Sequence, residues 1–145
     1  MKTTRVEFSG SRAVILGTIL TSALLFNTAV QAAEKADVQV KIPATSEAIW
    51  QSIDKETEQL AALIQIGKFE EVHYHAFAIR DLVAALSARS DALPGDKLAQ
   101  IKTNSKFVAT LAQRLDATGD AKDKVGTGSN FNKLQKVLSA IRADY

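Results

Sequence analysis

The two histidines of this 145-residue chain, His73 and His75, both fall within residues 70–77, EEVHYHAF, directly after Glu70 and Glu71. Imidazole nitrogen beside carboxylate oxygen suits Cu(II), Zn or Ni better than calcium or magnesium. Residues two apart on a helix point about 200° apart around the axis, so His73 and His75 cannot share one ion from a regular helix. Only a strand would put them on one face, and the apolar residues around them repeat with helical spacing. Spacing favours two other pairs: Glu71 with His75 at i and i+4, and Glu70 with His73 at i and i+3, one on each side of the apolar stripe. Two ligands do not hold an ion firmly, so a third must come from the neighbouring helix. Folding back about Gly67 brings His75 level with Leu60, with Glu56 and Glu58 a turn further on, and Glu58 is the expected extra ligand. Such a site should empty in acid as the imidazoles protonate. The plainer alternative is that both rings flank the core and their nitrogens meet water or a glutamate.

Tyr74 and Phe77, three residues apart on the side away from the stripe, offer a second function: a small aromatic patch on which a partner protein docks. Other chemistries lack their residues. With no cysteine there is no CxxCH haem attachment and no cysteine nucleophile. Met1 is the only methionine and both histidines lie on one helix, so facing axial ligands are missing and haem is not expected. No serine sits in a G-x-S-x-G elbow, and GTGSN is a glycine cluster with no strand before it. The chain reads as non-catalytic.

Its first residues differ from the rest. Residues 1–12 carry Lys2, Arg5 and Arg12 against Glu7, and residues 13–30 are free of charge and largely apolar. Val30 and Ala32 then form the small-residue pair of a cleavage site, so residues 1–32 read as a signal peptide cut after Ala32. An uncleaved anchor of about 18 residues is the alternative. Thr18, Thr21, Ser22 and Asn27 within the run argue against it. Without cysteine, lipid attachment is excluded.

The expectation is therefore a periplasmic protein with no membrane attachment after cleavage. Removing the leader takes away three basic residues and one acidic one from totals of 18 and 16, leaving 15 of each sign. A neutral chain with no basic patch is a poor ligand for nucleic acid.

Residues 33–44 read as an extended lead-in, because Pro43 blocks helix there. Residues 45–145 then give four helical segments, near 46–66, 68–89, 95–118 and 121–144. Thr45 or Ser46 caps the first, whose inward face is Trp50, Ile53, Thr57, Leu60 and Ile64, and Gly67 stops it. The second has the strictest spacing: Phe69, Val72, Ala76, Ile79, Val83 and Leu86. Pro94 opens the third, which turns Leu98, Ile101, Ser105, Val108, Ala112 and Leu115 inward and closes at Gly119. The fourth is defined by Phe131, Leu134, Leu138, Ile141 and Tyr145. Gly126 and Gly128 each cost a helix about 1 kcal/mol against alanine, so either a weak first turn starts near Asp120 or the helix begins at Ser129. Four such helices with short links make an all-α, up-down-up-down four-helix bundle. Thr57, Ala76 and Ser105 form a small or polar layer near its middle, either closely packed or hollow.

The run EAIWQSIDKETEQLAALIQIGKFEEVHYHAFAIRDLVAALSARS, with FVATLAQRLDATGD after it, resembles a group of small exported proteobacterial proteins of unestablished activity. The resemblance spans nearly all of the chain after the leader. It implies a secreted four-helix protein and an association with heavy-metal efflux or resistance systems, but supplies no ligands. Gly126 and Gly128 depart from the group's pattern. The combined expectation is a non-catalytic protein that binds a divalent transition metal for buffering or delivery near an efflux protein. The alternative is an envelope interaction module built on Tyr74 and Phe77.

Overall fold

The computed structural model describes residues 39–90 and 92–145. The expected signal peptide and the first part of the lead-in lie outside the described residues. Four helices follow in chain order: α1 (Ser46–Ile66), α2 (Val72–Ala88), α3 (Gly95–Asp120) and α4 (Lys124–Asp144), with a single 3-10 turn at Phe69–Glu71 just before α2. The fold is an all-α four-helix bundle. Each helix packs on its neighbours in sequence, and α1 meets α4 along a shorter seam that closes the ring. Among the described residues no helix is long and apolar enough to cross a membrane.

Local chemistry sets the ends. Thr45 accepts the Ala48 N–H at 3.2 Å and so caps α1. Gly67 ends that helix at φ 78°, a left-handed conformation that glycine adopts without a Cβ clash. Asp123 caps α4 by accepting the Gly126 N–H at 2.9 Å, so this helix starts at Lys124 and contains both glycines of the GTGSN run. The left-handed residue between α3 and α4 is Lys122, φ 52°. Gly119 is thus not the terminator expected from its position. It is buried inside α3, where an added Cβ would lie 2.9 Å from the Phe69 carbonyl oxygen and 3.3 Å from Val72 Cβ. Its missing side chain lets α3 approach the backbone that leads into α2.

The core is contributed by all four helices. On α2 the expected stripe of Val72, Ala76, Ile79, Val83 and Leu86 is completely buried, together with Leu82. Ile101, Val108, Ala112 and Leu115 from α3 and Leu134 and Ile141 from α4 meet it. Each large aliphatic chain buried in this way contributes about 1.5–3 kcal/mol of transfer free energy. On α1 the buried residues are Ile49, Ile53, Leu60 and Leu63, while Trp50 and Ile64 sit at the margin. The helix is rotated from the face expected through Trp50 and Ile64. This follows from Trp50 serving the α1–α4 seam, where the Arg142 guanidinium lies 4.3 Å above its ring.

That seam bears on the small polar layer as well. Thr57 is half-buried, donates its hydroxyl to the Ile53 carbonyl at 2.7 Å, and lines a surface groove of about 170 Å³ between α1 and α4. The layer is therefore not an enclosed cavity at Thr57, though Ala76 beside it is fully packed. The seam is latched by Arg142 donating to Asp54 at 2.7 Å, by Tyr145 donating to Ser46 at 2.5 Å, and by an edge-on contact of Trp50 with Tyr145. The ion pair is half-exposed and contributes little, while the cation–π contact adds about 0.5–1 kcal/mol. Arg142→Ala should therefore cost only about 1 kcal/mol of stability. Trp50, the single tryptophan, should shift its emission to the red in that variant, which fluorescence reads directly.

Candidate functional site

α1 and α2 together position the one close imidazole–carboxylate pair among the described residues. Glu56 Oε2 lies 2.7 Å from His75 Nδ1, and the two side chains are 23% and 21% exposed. Glu56 continues the three-four spacing of the buried α1 stripe 49, 53, 60, 63, so its carboxylate leans toward the core and needs a donor. His75 supplies one from the adjacent face of α2. Because a carboxylate can only accept, Nδ1 carries the proton, and in the neutral ring the lone pair then resides on Nε2. A histidine oriented in this way by a carboxylate is the usual form of a metal-ligating imidazole, whose basicity the partner raises.

The other expected ligands are placed elsewhere. Glu58 is exposed on α1, about 200° around the helix from Glu56, so only one of the two can face α2. Glu71 belongs to the 3-10 turn and pairs with Lys68 at 3.1 Å. Glu70 lies in the same turn and is exposed. Glu71 is the residue from which α2 starts, and among the described residues its carboxylate pairs with Lys68 while His75 pairs with Glu56.

His73 is 7% exposed, points away from the His75 pair as the helical angle requires, and its buried Nδ1 has no hydrogen-bond partner. Among the described residues no group of three or more His, Asp or Glu side chains is arranged to hold a metal ion. What remains of the expected site is one oriented imidazole and the glutamate behind it.

A groove surrounds the pair. It has a volume of about 340 Å³ and is lined by residues 39–41 of the lead-in, by Ser52, Lys55 and Glu56 of α1, and by Tyr74, His75, Ala78 and Leu82 of α2. The lead-in is fixed there by Arg89, which donates to the Pro43 carbonyl at 2.6 Å, and by Val40 and Ile42 packing against the core. Neither this wall nor the lysines beside His75 could be seen in the spacing around EEVHYHAF. The signal that would have pointed to them is the three-four continuity of Glu56 with Ile53 and Leu60.

The aromatic patch is divided. Tyr74 is 46% exposed at the edge of this groove, its ring centroid 3.8 Å from that of His73 and tilted 40° to it. Phe77 packs against the core margin beneath the Arg80 guanidinium at 4.6 Å. A docking face centred on both rings would first have to move Arg80, which also donates to Asp81 at 2.7 Å.

The orphaned nitrogen of His73 has an energetic consequence. A buried polar atom without a partner costs about 1–3 kcal/mol. His73→Leu removes that atom at similar volume, so it should raise the midpoint of thermal unfolding by a few degrees and leave any ligand of the His75 groove unaffected. Calorimetric melting and binding titration on the same sample check both halves.

No family model matches the chain, and no curated protein and no solved structure matches it.

Proposed function

We propose that this is a non-catalytic protein of the periplasm that carries a divalent transition metal, Cu(II), Zn or Ni, on His75 in labile form, for buffering or delivery near an efflux protein. The observation that carries the reading is the Glu56–His75 pair, 2.7 Å apart at the wall of an open groove. Glu56 holds the ring by accepting from Nδ1–H, and Nε2 is the donor. A single imidazole leaves most coordination positions to water or to an acceptor's ligands. Few protein ligands mean fast release, which suits a carrier better than a store. The periplasmic location rests on the leader-like residues 1–32, and the link to efflux rests on the resemblance to small exported proteobacterial proteins.

Titration calorimetry of the purified protein with each of the three ions at pH 7.5 tests the reading. Saturable one-to-one binding in the micromolar range is expected for at least one ion. No heat with any of them would overturn it and return attention to Tyr74 as the contact of an envelope interaction module.

A further inference from the structure

Resting on the metal reading of the Glu56–His75 pair, we propose that the groove takes its ion as a chelate, a divalent transition metal already held by a small polycarboxylate, in preference to the bare hydrated ion. Three features of the groove converge on this.

The first is the donor count. His75 offers one nitrogen, and Glu56 is engaged in holding the ring at 2.7 Å. The ions that suit imidazole take four or more ligands. Most of the coordination shell must therefore come from outside the chain.

The second is size. A volume of about 340 Å³ is many times the roughly 30 Å³ share of one water molecule, and it falls at the lower end of the range for small-molecule pockets. A bare ion would leave most of that space to solvent, whereas a tricarboxylate wrapped round one metal would fill much of it.

The third is charge. Lys41 and Lys55 line the groove, are exposed, and make no hydrogen bond or ion pair among the described residues. These two ammonium groups outweigh the one carboxylate on the lining, Glu56, so the groove favours a chelate of net negative charge over a free divalent cation. Tyr74, also on the lining, adds a hydroxyl group that can donate to a carboxylate oxygen, while the Ser52 hydroxyl donates to the Ala48 carbonyl at 2.9 Å. In this arrangement His75 Nε2 displaces one water from the metal while the lysines hold the organic anion. No bond of the chelator is made or broken, and no electron is transferred.

Equilibrium dialysis with Ni(II) alone, Ni(II) premixed with citrate, and citrate alone tests the proposal. It is run on the wild-type protein, on His75→Ala, and on a Lys41→Ala, Lys55→Ala double variant, with circular dichroism confirming that each is folded. Wild-type protein should retain the nickel–citrate complex at least tenfold more tightly than aqueous nickel, and should not retain citrate alone. The double lysine variant should lose that gain while binding aqueous nickel as well as before or better. His75→Ala should hold neither form.

If citrate simply strips nickel from the wild-type protein, the chelate proposal is overturned and the metal reading of His75 stands. Retention of neither form overturns both. Equal retention of citrate with and without nickel, or undiminished binding in His75→Ala, would show a groove that reads anions without metal and would also overturn the proposal.

Discussion

A His75→Ala chain is expected to lose measurable binding of Cu(II), Zn and Ni, and Glu56→Gln to weaken it by about 10–100-fold, the usual cost of removing the partner that orients a ligating histidine. The two variants act through different steps. Alanine at position 75 deletes the donor atom. Glutamine at position 56 keeps the ring but can accept from Nδ1–H only as a neutral amide, so the ring is less firmly aimed. Both residues are only about one-fifth exposed, so removing one partner leaves a largely buried group unpaired at a cost of about 1–3 kcal/mol, and circular dichroism of each variant separates loss of metal from loss of fold. Glu58→Gln, on the exposed side of α1, and Glu71→Gln, at the Lys68 pair, should bind as wild type does. Titrating the four variants side by side checks the assignment. A Glu58→Gln defect equal to that of Glu56→Gln would show that the wrong carboxylate has been assigned.

The second large effect concerns two glycines that look alike in sequence. Gly119 and Gly128 both lie inside helices, and alanine is worth about 1 kcal/mol more than glycine at such a position. At Gly128 nothing lies within 4 Å of an added Cβ, so Gly128→Ala should stabilise the protein by up to that amount. At Gly119 the same methyl would meet the Phe69 carbonyl oxygen at 2.9 Å. Because that atom belongs to the backbone, a side-chain rotation cannot relieve the contact. Forcing α3 away from the start of α2 should cost about 1–3 kcal/mol, more than the gain in propensity. With roughly 4 °C per kcal/mol for a domain of this size, the two alanine variants should melt on opposite sides of the wild type. Thermal unfolding followed by circular dichroism measures the difference, and a stabilised Gly119→Ala would contradict the close approach of α3 to the Phe69 turn.

The same positions show where the sequence was legible. The α2 stripe could be read residue by residue because its apolar side chains keep three-four spacing and the helix packs on both neighbours. Thr45 and Gly67 could be read because capping and left-handed termination depend on local chemistry. Gly119 could not, since a glycine that ends a helix and one that admits a neighbouring backbone look the same until the neighbour is placed. The candidate site shifted for a related reason. Trp50 drew the inward face of α1 toward itself, whereas its ring in fact closes the seam with α4. Restoring the face to Ile49, Ile53, Leu60 and Leu63 turns Glu56 toward α2 and Glu58 to solvent. Glu71 pairs with Lys68 and His75 with Glu56, partners that lie outside EEVHYHAF and that its internal spacing does not show. The mutual exclusion of His73 and His75 from one site, by contrast, followed from helical geometry alone.

On the proposed reading one imidazole, His75, is the metal donor of this bundle. Electron paramagnetic resonance of the Cu(II)-loaded protein at pH 7.5 tests it most directly, because nitrogen couplings count the imidazoles bound to copper. The loaded protein should show the signature of a single histidine nitrogen, unchanged in His73→Leu and absent in His75→Ala. Two coupled imidazoles, or a nitrogen signature that survives His75→Ala, would contradict it.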